Sequence, residues 1–448
     1  MTCRQRLQAI RMNGDDPHSV AEPQATPSPT TCIADPLVRD GVAAAIERTL
    51  LPAMSHAAYP GHFTVTVDGR HFGSDTTWPG LDSWEMAGAY LLLGQRDLVR
   101  DYFAFVKAAQ REEDENIPFA IFPGDARPPA MDTYLRGMRF PQDVYSYRGR
   151  KWIGLYEHWQ TRANPLSVLA PICYVLTAGE IAAGETSDDW LRDNLASIER
   201  AAEYVLSRRS EDGLIAGAGF YIECPPRDQW DGVTQCYAAF AFRALADMCE
   251  RGGDAAHARR WRDEADDLAR TFRDTLWRGD HFGEYVHRRR GVIDLHGLSD
   301  VNFAAIALNI ATDEQAAILW PRLTRETRFW QGGMPTQLVS DPFAFQDWEK
   351  PEDVGFVHPG GDFYDVAAMG RVWYLESLAC LRMGDVDRLR ASAQLVCAMG
   401  RRHGWQWHER YHARRDGAVE PAGPAGYCEY PAVLVRIVLS NCQIFAAR

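Results

Sequence analysis

The sequence has no Cys-x-x-Cys pair, no extended basic tract and no apolar run long enough to cross a bilayer. Each absence removes a class of protein. Ten cysteines, at 3, 32, 173, 224, 236, 249, 380, 397, 428 and 442, are scattered, several of them inside apolar helical patterns. This distribution is expected of buried, reduced thiols rather than of a disulfide frame, and it points to a cytoplasmic protein. A net charge of −13 without a basic groove argues against nucleic acid and against an anionic membrane as partners. The first 32 residues contain no apolar core of signal-peptide length. Residues 1–34 are expected to form a flexible N-terminal tail, and 35–448 a single domain.

What is present is helix. Apolar spacing, caps and stops mark twelve candidates, roughly 36–55, 82–94, 97–110, 163–183, 188–208, 233–251, 254–276, 298–310, 312–326, 363–384, 385–402 and 428–446. Short turns at Gly94-Gln95-Arg96, Gly184 to Ser187, Gly252-Gly253, Thr312 and Gly384 alternate with long links at 56–81, 111–162, 209–232, 277–297, 327–362 and 403–427. Helices entered from a long link are apolar on nearly every side, as in SWEMAGAYLLLG and EYPAVLVRIVLSNCQIF. Those entered from a short turn are one-sided and charged, as in DAAHARRWRDEADDLARTFRDTLW. A helix without a polar face is enclosed by protein, whereas a one-sided helix borders water. The alternation predicts an all-α fold, an (α/α)6 toroid of six helical hairpins with inner and outer rings. Long loops, and with them an active-site cup, collect on one face.

The stretch TWPGLDSWEMAGAYLLLG places Asp82 between Trp78 and Trp84 at the entrance of an inner helix. Helix capping explains an isolated aspartate there. The same mixture of acids and aromatic rings recurs in the other long links. The second carries Tyr147 and Trp152; the third Glu223, Asp228, Trp230 and Asp231; the fifth Tyr364 and Asp365; the sixth Trp407 and Glu409. Rings that pack on the C–H faces of a pyranose, beside charged acceptors for its hydroxyls, make a carbohydrate the expected substrate.

Cleavage of a glycosidic bond needs a protonated carboxyl at the leaving oxygen and an ionised one at the attacking water. Crowding in the third link favours Asp228 as the acid, then Asp231, then Glu223, with an N-cap as the competing role for Asp231. Glu409 is the candidate base. His408-Glu409-Arg410-Tyr411-His412 also matches the H-E-x-x-H zinc pattern, which works only on a helix. Trp405, Trp407, Glu409 and Tyr411 alternate with polar residues, a period of two that predicts an extended segment, so no metal or other cofactor is expected.

The order WPGLDSW, a mid-chain DGL…E…D…W leading into YAAFAFRALADMCERGGDAAHARRWRDEADDL, and W-x-x-E-x-Y before a last apolar helix resembles the six-hairpin glycosidases over residues 36 to 446. Among these it is most similar to the inverting exo-acting clan of processing α-glucosidase, glucosylglycerate and mannosylglycerate hydrolases and trehalase, with α-L-rhamnosidase more distant. The resemblance implies that Asp82 contacts the innermost sugar, that Glu409 is the general base, and that the stretch Phe363 to Trp373, with Tyr364 and Arg371, joins the sugar site. At the acid this chain reads ECPPRDQWDG where the α-glucosidase branch has Glu-Ser-Gly-x-Asp-Asn-Ser, so Asp228, Asp231 and Glu223 all stand as candidates.

The expected function is an inverting exo-glycosidase acting on an oligosaccharide or small glycoside. Alternatives on the same fold are a sugar 2-epimerase, for which His281, His287, His296 and His358 are available, a polysaccharide lyase, and a non-catalytic glycan-binding toroid. Association into a homo-oligomer stays open.

Overall fold

The structure is a computed structural model that describes residues 30–55, 62–67, 76–80, 83–124, 142–156, 168–217, 227, 229–349 and 366–446. The six apolar helices form a closed ring. They are α2 (Ser83–Leu92), α4 (Leu169–Gly184), α6 (Gly232–Arg251), α8 (Asp300–Ala307), α10 (Gly370–Met383) and α12 (Glu429–Ser440). Each packs on the next, and α12 packs back on α2. Outside them lie α1 (Pro36–Ala45), α3 (Arg96–Ala108), α5 (Asp189–Ser207), α7 (Ala255–Leu276), α9 (Asp313–Arg325) and α11 (Val386–Arg402). Five short turns pair α2 with α3, α4 with α5, α6 with α7, α8 with α9 and α10 with α11, while α1 seats against α11 and α12 and completes the outer ring. This is the expected (α/α)6 toroid.

The two rings follow from the side chains. In α7 the buried positions are Ala258, Trp261, Ala265, Leu268, Ala269, Phe272 and Leu276, a stripe spaced by three and four, and its N-cap Asp254 accepts the His257 amide at 3.0 Å. In α2, by contrast, every residue from Ser83 to Tyr90 is buried. The turn into α9 is fixed by a capping box between Thr312 and Gln315, and α10 ends at Gly384, whose φ of 72° is the left-handed conformation that a helix terminus assigns to glycine.

The barrel axis is filled by side chains from five inner helices. The Arg436 guanidinium lies 5.0 Å from the ring centre of Trp84 and 4.8 Å from that of Tyr374, pairs with Glu180, and donates to the Trp84 carbonyl at 2.9 Å. Trp84 packs edge-on against Tyr237 at 5.9 Å. Gly88 makes this possible, because a Cβ there would collide with the Arg436 guanidinium.

Helix boundaries shift where a link residue is held extended or left-handed. The expected helix 298–310 closes at Ala307, and Asn309 takes φ 57°. The expected helix 363–384 begins only at Gly370, because Ala368 is bridged to Gln337 and Tyr411. The last helix breaks at Asn441 before a final turn, Cys442–Phe445. Residues 30–34, inside the expected tail, are docked: Ile33 is buried and the Ala34 amide donates to the Phe445 carbonyl at 2.8 Å.

Candidate active site at the rim of the toroid

Short strands in the long links fasten one end of the toroid. They are β1 (Met54–Ser55), β2 (His62–Phe63), β3 (Ala120–Pro123), β4 (Gln142–Tyr147), β5 (Arg150–Leu155), β6 (Trp230–Asp231), β7 (Tyr285–His287), β8 (Gly291–Ile293), β9 (His408–Ala413) and β10 (Val419–Ala425). Antiparallel bridges join consecutive links: Thr77 to Ile121, Asp231 to Tyr285, Ser299 to Val339, Ala368 to Tyr411, and Tyr427 to Thr66. Between the second and third links, Gly217 approaches Val168 so closely that a Cβ would reach 2.9 Å from its side chain. The links therefore form a belt, and residues hundreds of positions apart share one rim.

Glu409 lies on β9, and its neighbours show why the H-E-x-x-H pattern does not act as a zinc motif. In a strand, His408 and His412 stand about 13 Å apart along the chain. Among the described residues no group of His, Cys, Asp and Glu is arranged to hold a metal ion. Glu409 is buried, its Oε1 accepts from the Arg410 guanidinium at 2.5 Å, and its Oε2 has no hydrogen-bond partner among the described residues. The carboxylate rests on the bare Cα of Gly423, where β10 is irregular and φ is 72°. A buried carboxylate with one unused oxygen is arranged to accept a proton or a hydroxyl.

Around Asp231 the rim holds a charge network. Buried Arg227 donates to Asp231 Oδ1 at 2.9 Å, to Glu284 Oε1 at 2.8 Å and to Asp300 Oδ1 at 2.6 Å. Glu284 Oε2 and Glu349 Oε2 take the two ring nitrogens of His296 at 2.5 and 3.0 Å, the imidazole stacks on Phe345 at 3.7 Å, and Tyr285 donates to Glu349 at 2.9 Å. Burial alone would raise Glu284, but Arg227 and His296 hold it at about 2. Burial opposes the charge on His296, and Glu284 with Glu349 lifts it to about 9. Asp300 is carried by burial to about 6 despite Arg227.

Asp231 is the N-cap of α6. Its Oδ2 accepts from the Thr234 amide at 2.7 Å and from the Thr234 hydroxyl at 3.0 Å, while Oδ1 faces Arg227. Both oxygens are thus engaged, one by the first turn of α6 and one by Arg227. Asp82, Glu223, Asp228, Tyr364 and Asp365 lie outside the described residues.

The expected sugar-binding aromatics divide by what they touch. Trp152 packs edge-on at 4.8 Å, and Tyr147 at 5.2 Å, against Phe105 of the outer helix α3. Trp407 donates to the Val396 carbonyl of α11 at 3.0 Å and covers Gly400. Trp78, in the first link, meets Phe119 of the second link edge-on at 6.0 Å, and Trp84 is in the axial core. Trp230 differs: it stays partly exposed on β6, and its Nε1 has no hydrogen-bond partner among the described residues. Arg371 opens α10, with its amide donating to Glu429 and its guanidinium 2.8 Å from Met369 Sδ. The sequence singled out His296 only as a histidine available to an epimerase, and Glu284, Asp300, Glu349 and Glu429 were not among its candidates. The available signal was acids inside otherwise apolar helix starts, SDVNF and EYPAV. A separate open groove of 580 Å³, lined by His281, Arg322, Arg325 and Arg328 among others, lies beside α9 and includes none of the expected site residues.

The closed double ring, with a carboxylate rim on one end, can be set beside known proteins. Residues 189–347 match the family model described as a mannosylglycerate hydrolase MGH1-like glycoside hydrolase domain. The fold is similar to the GH63 mannosylglycerate hydrolase from Thermus thermophilus in complex with Tris and D-glycerate, with TM-score 0.59, 11% identity, 89% of this chain covered and 99% of that one. It is also similar to the rhamnosidase from Klebsiella oxytoca with rhamnose bound, with TM-score 0.58, 12% identity, and 90% and 64% covered. A third similar structure is the GH78 rhamnosidase of Bacillus sp. GL1, with TM-score 0.56, 13% identity, and 91% and 35% covered. The chain thus spans about a third and just under two thirds of the two rhamnosidases, but nearly the whole mannosylglycerate hydrolase. No curated protein matches it in sequence. The fold is the six-hairpin toroid of these structures, and residues 189–347 carry the match to a glycoside hydrolase domain.

Proposed function

We propose that this protein is an inverting, exo-acting hydrolase of an oligosaccharide or small glycoside, with Glu409 as the general base. The observation that carries the reading is the buried Glu409 carboxylate, with Oε1 held by Arg410 and Oε2 left without a partner among the described residues. Glu409 takes a proton from a water, the water attacks the anomeric carbon from the face opposite the leaving group, and an acid in the third link gives its proton to the departing oxygen. The commitment of Asp231 to Thr234 and Arg227 supports Asp228 as the acid, with Glu223 next. Arg227, one residue from Asp228, anchors that segment to α8 and to the fourth link. In an inverting site the two carboxyl groups stand about 6.5–9.5 Å apart, leaving room for the water. Trp230 supplies the exposed ring for a sugar face, and Asp82, Tyr364, Asp365 and Arg371 complete the innermost subsite. The match of residues 189–347 to a mannosylglycerate hydrolase-like domain supports a short glycoside over a polymer.

Epimerisation through His281 or His296 is disfavoured. His296 has both ring nitrogens engaged by carboxylates, as does His281 with Asp280 and Asp294, so neither has a nitrogen free to abstract a substrate proton. The test is a panel of natural and aryl glycosides followed in time by proton NMR. A released sugar whose anomer is opposite to that of the substrate is the expected product. Retained configuration, a change at C2 without cleavage, or an unsaturated product each overturns the reading.

A further inference from the structure

We infer that Cys32 and Cys442 are a disulfide-forming pair that staples the segment before α1 to the segment after α12. Their Sγ atoms lie 2.6 Å apart across 410 residues of sequence. Both are partly exposed, whereas Cys173, Cys236, Cys249, Cys380, Cys397 and Cys428 are buried and shielded from any soluble oxidant. The surrounding contacts hold the pair in register. The Ala34 amide donates to the Phe445 carbonyl at 2.8 Å, Asp35 caps α1 while accepting from Gln394 at 2.6 Å, and Cys442 donates to the Leu439 carbonyl at 3.4 Å. The two thiols are therefore presented to each other chiefly by backbone and cap bonds that do not depend on the sulfurs.

The chemistry is thiol–disulfide exchange with a glutathione-type disulfide. The Cys32 thiolate attacks one sulfur of the oxidant, forming a mixed disulfide and expelling one glutathione thiolate. The Cys442 thiolate then attacks the Cys32 sulfur and expels the second, so two thiol protons and two electrons leave the protein and two glutathione thiols form. Burial and the neighbouring thiol push Cys442 up to about 12, which assigns it the second, resolving attack. The cross-link closes nearly the whole chain into a loop and removes conformational freedom from the unfolded state.

The test uses the full chain incubated with oxidised or with reduced glutathione, then denatured for thiol titration, peptide mapping and, in parallel, thermal unfolding. Oxidation is expected to leave eight of the ten thiols free, to yield a cross-linked peptide pair containing Cys32 and Cys442, and to raise the melting temperature by up to about 5 °C. Cys32→Ser and Cys442→Ser, tested separately, abolish both the cross-link and the rise while leaving glycosidase turnover unchanged. Ten free thiols after oxidation, a cross-link that maps to any other pair, or a Cys32–Cys442 bond that leaves the melting temperature where it was would overturn the inference.

Discussion

Tyr411 and Ala368 exchange backbone hydrogen bonds, the Ala368 amide to the Tyr411 carbonyl at 3.0 Å and the Tyr411 amide to the Ala368 carbonyl at 3.1 Å. This pair joins the strand of Glu409 to the residues just before α10. Gln337 adds a side-chain bond to the same Tyr411 carbonyl at 3.1 Å, and through Leu338 and Asp300 the connection reaches Arg227. Tyr411, two residues from Glu409, and Arg227 are thus tied by a short series of bonds, although they are far apart in the sequence.

Gly423 is the floor under Glu409. A methyl group there would collide with Glu409 Oε2, and φ of 72° is strained for any L side chain. Gly423→Ala is expected to lower kcat by about 100-fold, since displacement of a catalytic group by about 1 Å costs on that order. Steady-state kinetics beside thermal unfolding checks this. Full activity at an unchanged melting temperature would remove Gly423 from the account.

Arg227 is the only described cation bonded to Asp231, Glu284 and Asp300 together. Arg227→Met leaves these buried carboxylates without it, and removing one partner of a buried ion pair costs roughly 3–5 kcal/mol. Chemical denaturation reads this directly. A variant within about 1 kcal/mol of the parent would mean that the network contributes little to folding.

His296 makes stability depend on pH. Its folded value, about 9, exceeds the ordinary 6.5, so its contribution is fully present below pH 6.5 and is lost as the pH rises through 9. The expected amplitude is about 3 kcal/mol. Asp300 titrates at about pH 6, so its own contribution changes mostly below this window. Urea unfolding at pH 6.5 and pH 9.5 should show the fall, and His296→Gln should flatten it. A parent protein as stable at pH 9.5 as at 6.5 contradicts the charge placed on His296.

The rings of Trp152 and Trp407 are buried against the outer helices α3 and α11. Replacing either with alanine is expected to cost about 3–5 kcal/mol of stability while KM changes little. Trp230→Ala is expected to raise KM with stability nearly unchanged, because its ring is partly exposed. A tenfold rise in KM for Trp152→Ala in folded protein would restore that ring to the sugar site.

The toroid was legible in the sequence because helix burial is periodic and local: SWEMAGAYLL has no polar face and the α7 segment has one. The extended segment that carries Glu409 was legible for a similar reason, since alternation in WQWHERYH marks a strand. The Arg227 network was not, because Asp231, Glu284, Asp300 and Glu349 lie in different links and nothing local distinguishes them from surface acids. The aromatics misled in part: Trp152 and Trp407 sit in links, but strand pairing turns their rings toward outer helices, and which side a link residue faces depends on partners far along the chain.

The most direct test of the proposed base is the turnover of Glu409→Gln on a glycoside that the parent protein is found to cleave in the NMR panel. Glutamine keeps the shape of the side chain and removes its ability to take a proton. The expected result is a kcat at least about 1,000-fold lower with the melting temperature and sugar binding retained. Turnover within tenfold of the parent would contradict the role of Glu409 as the base.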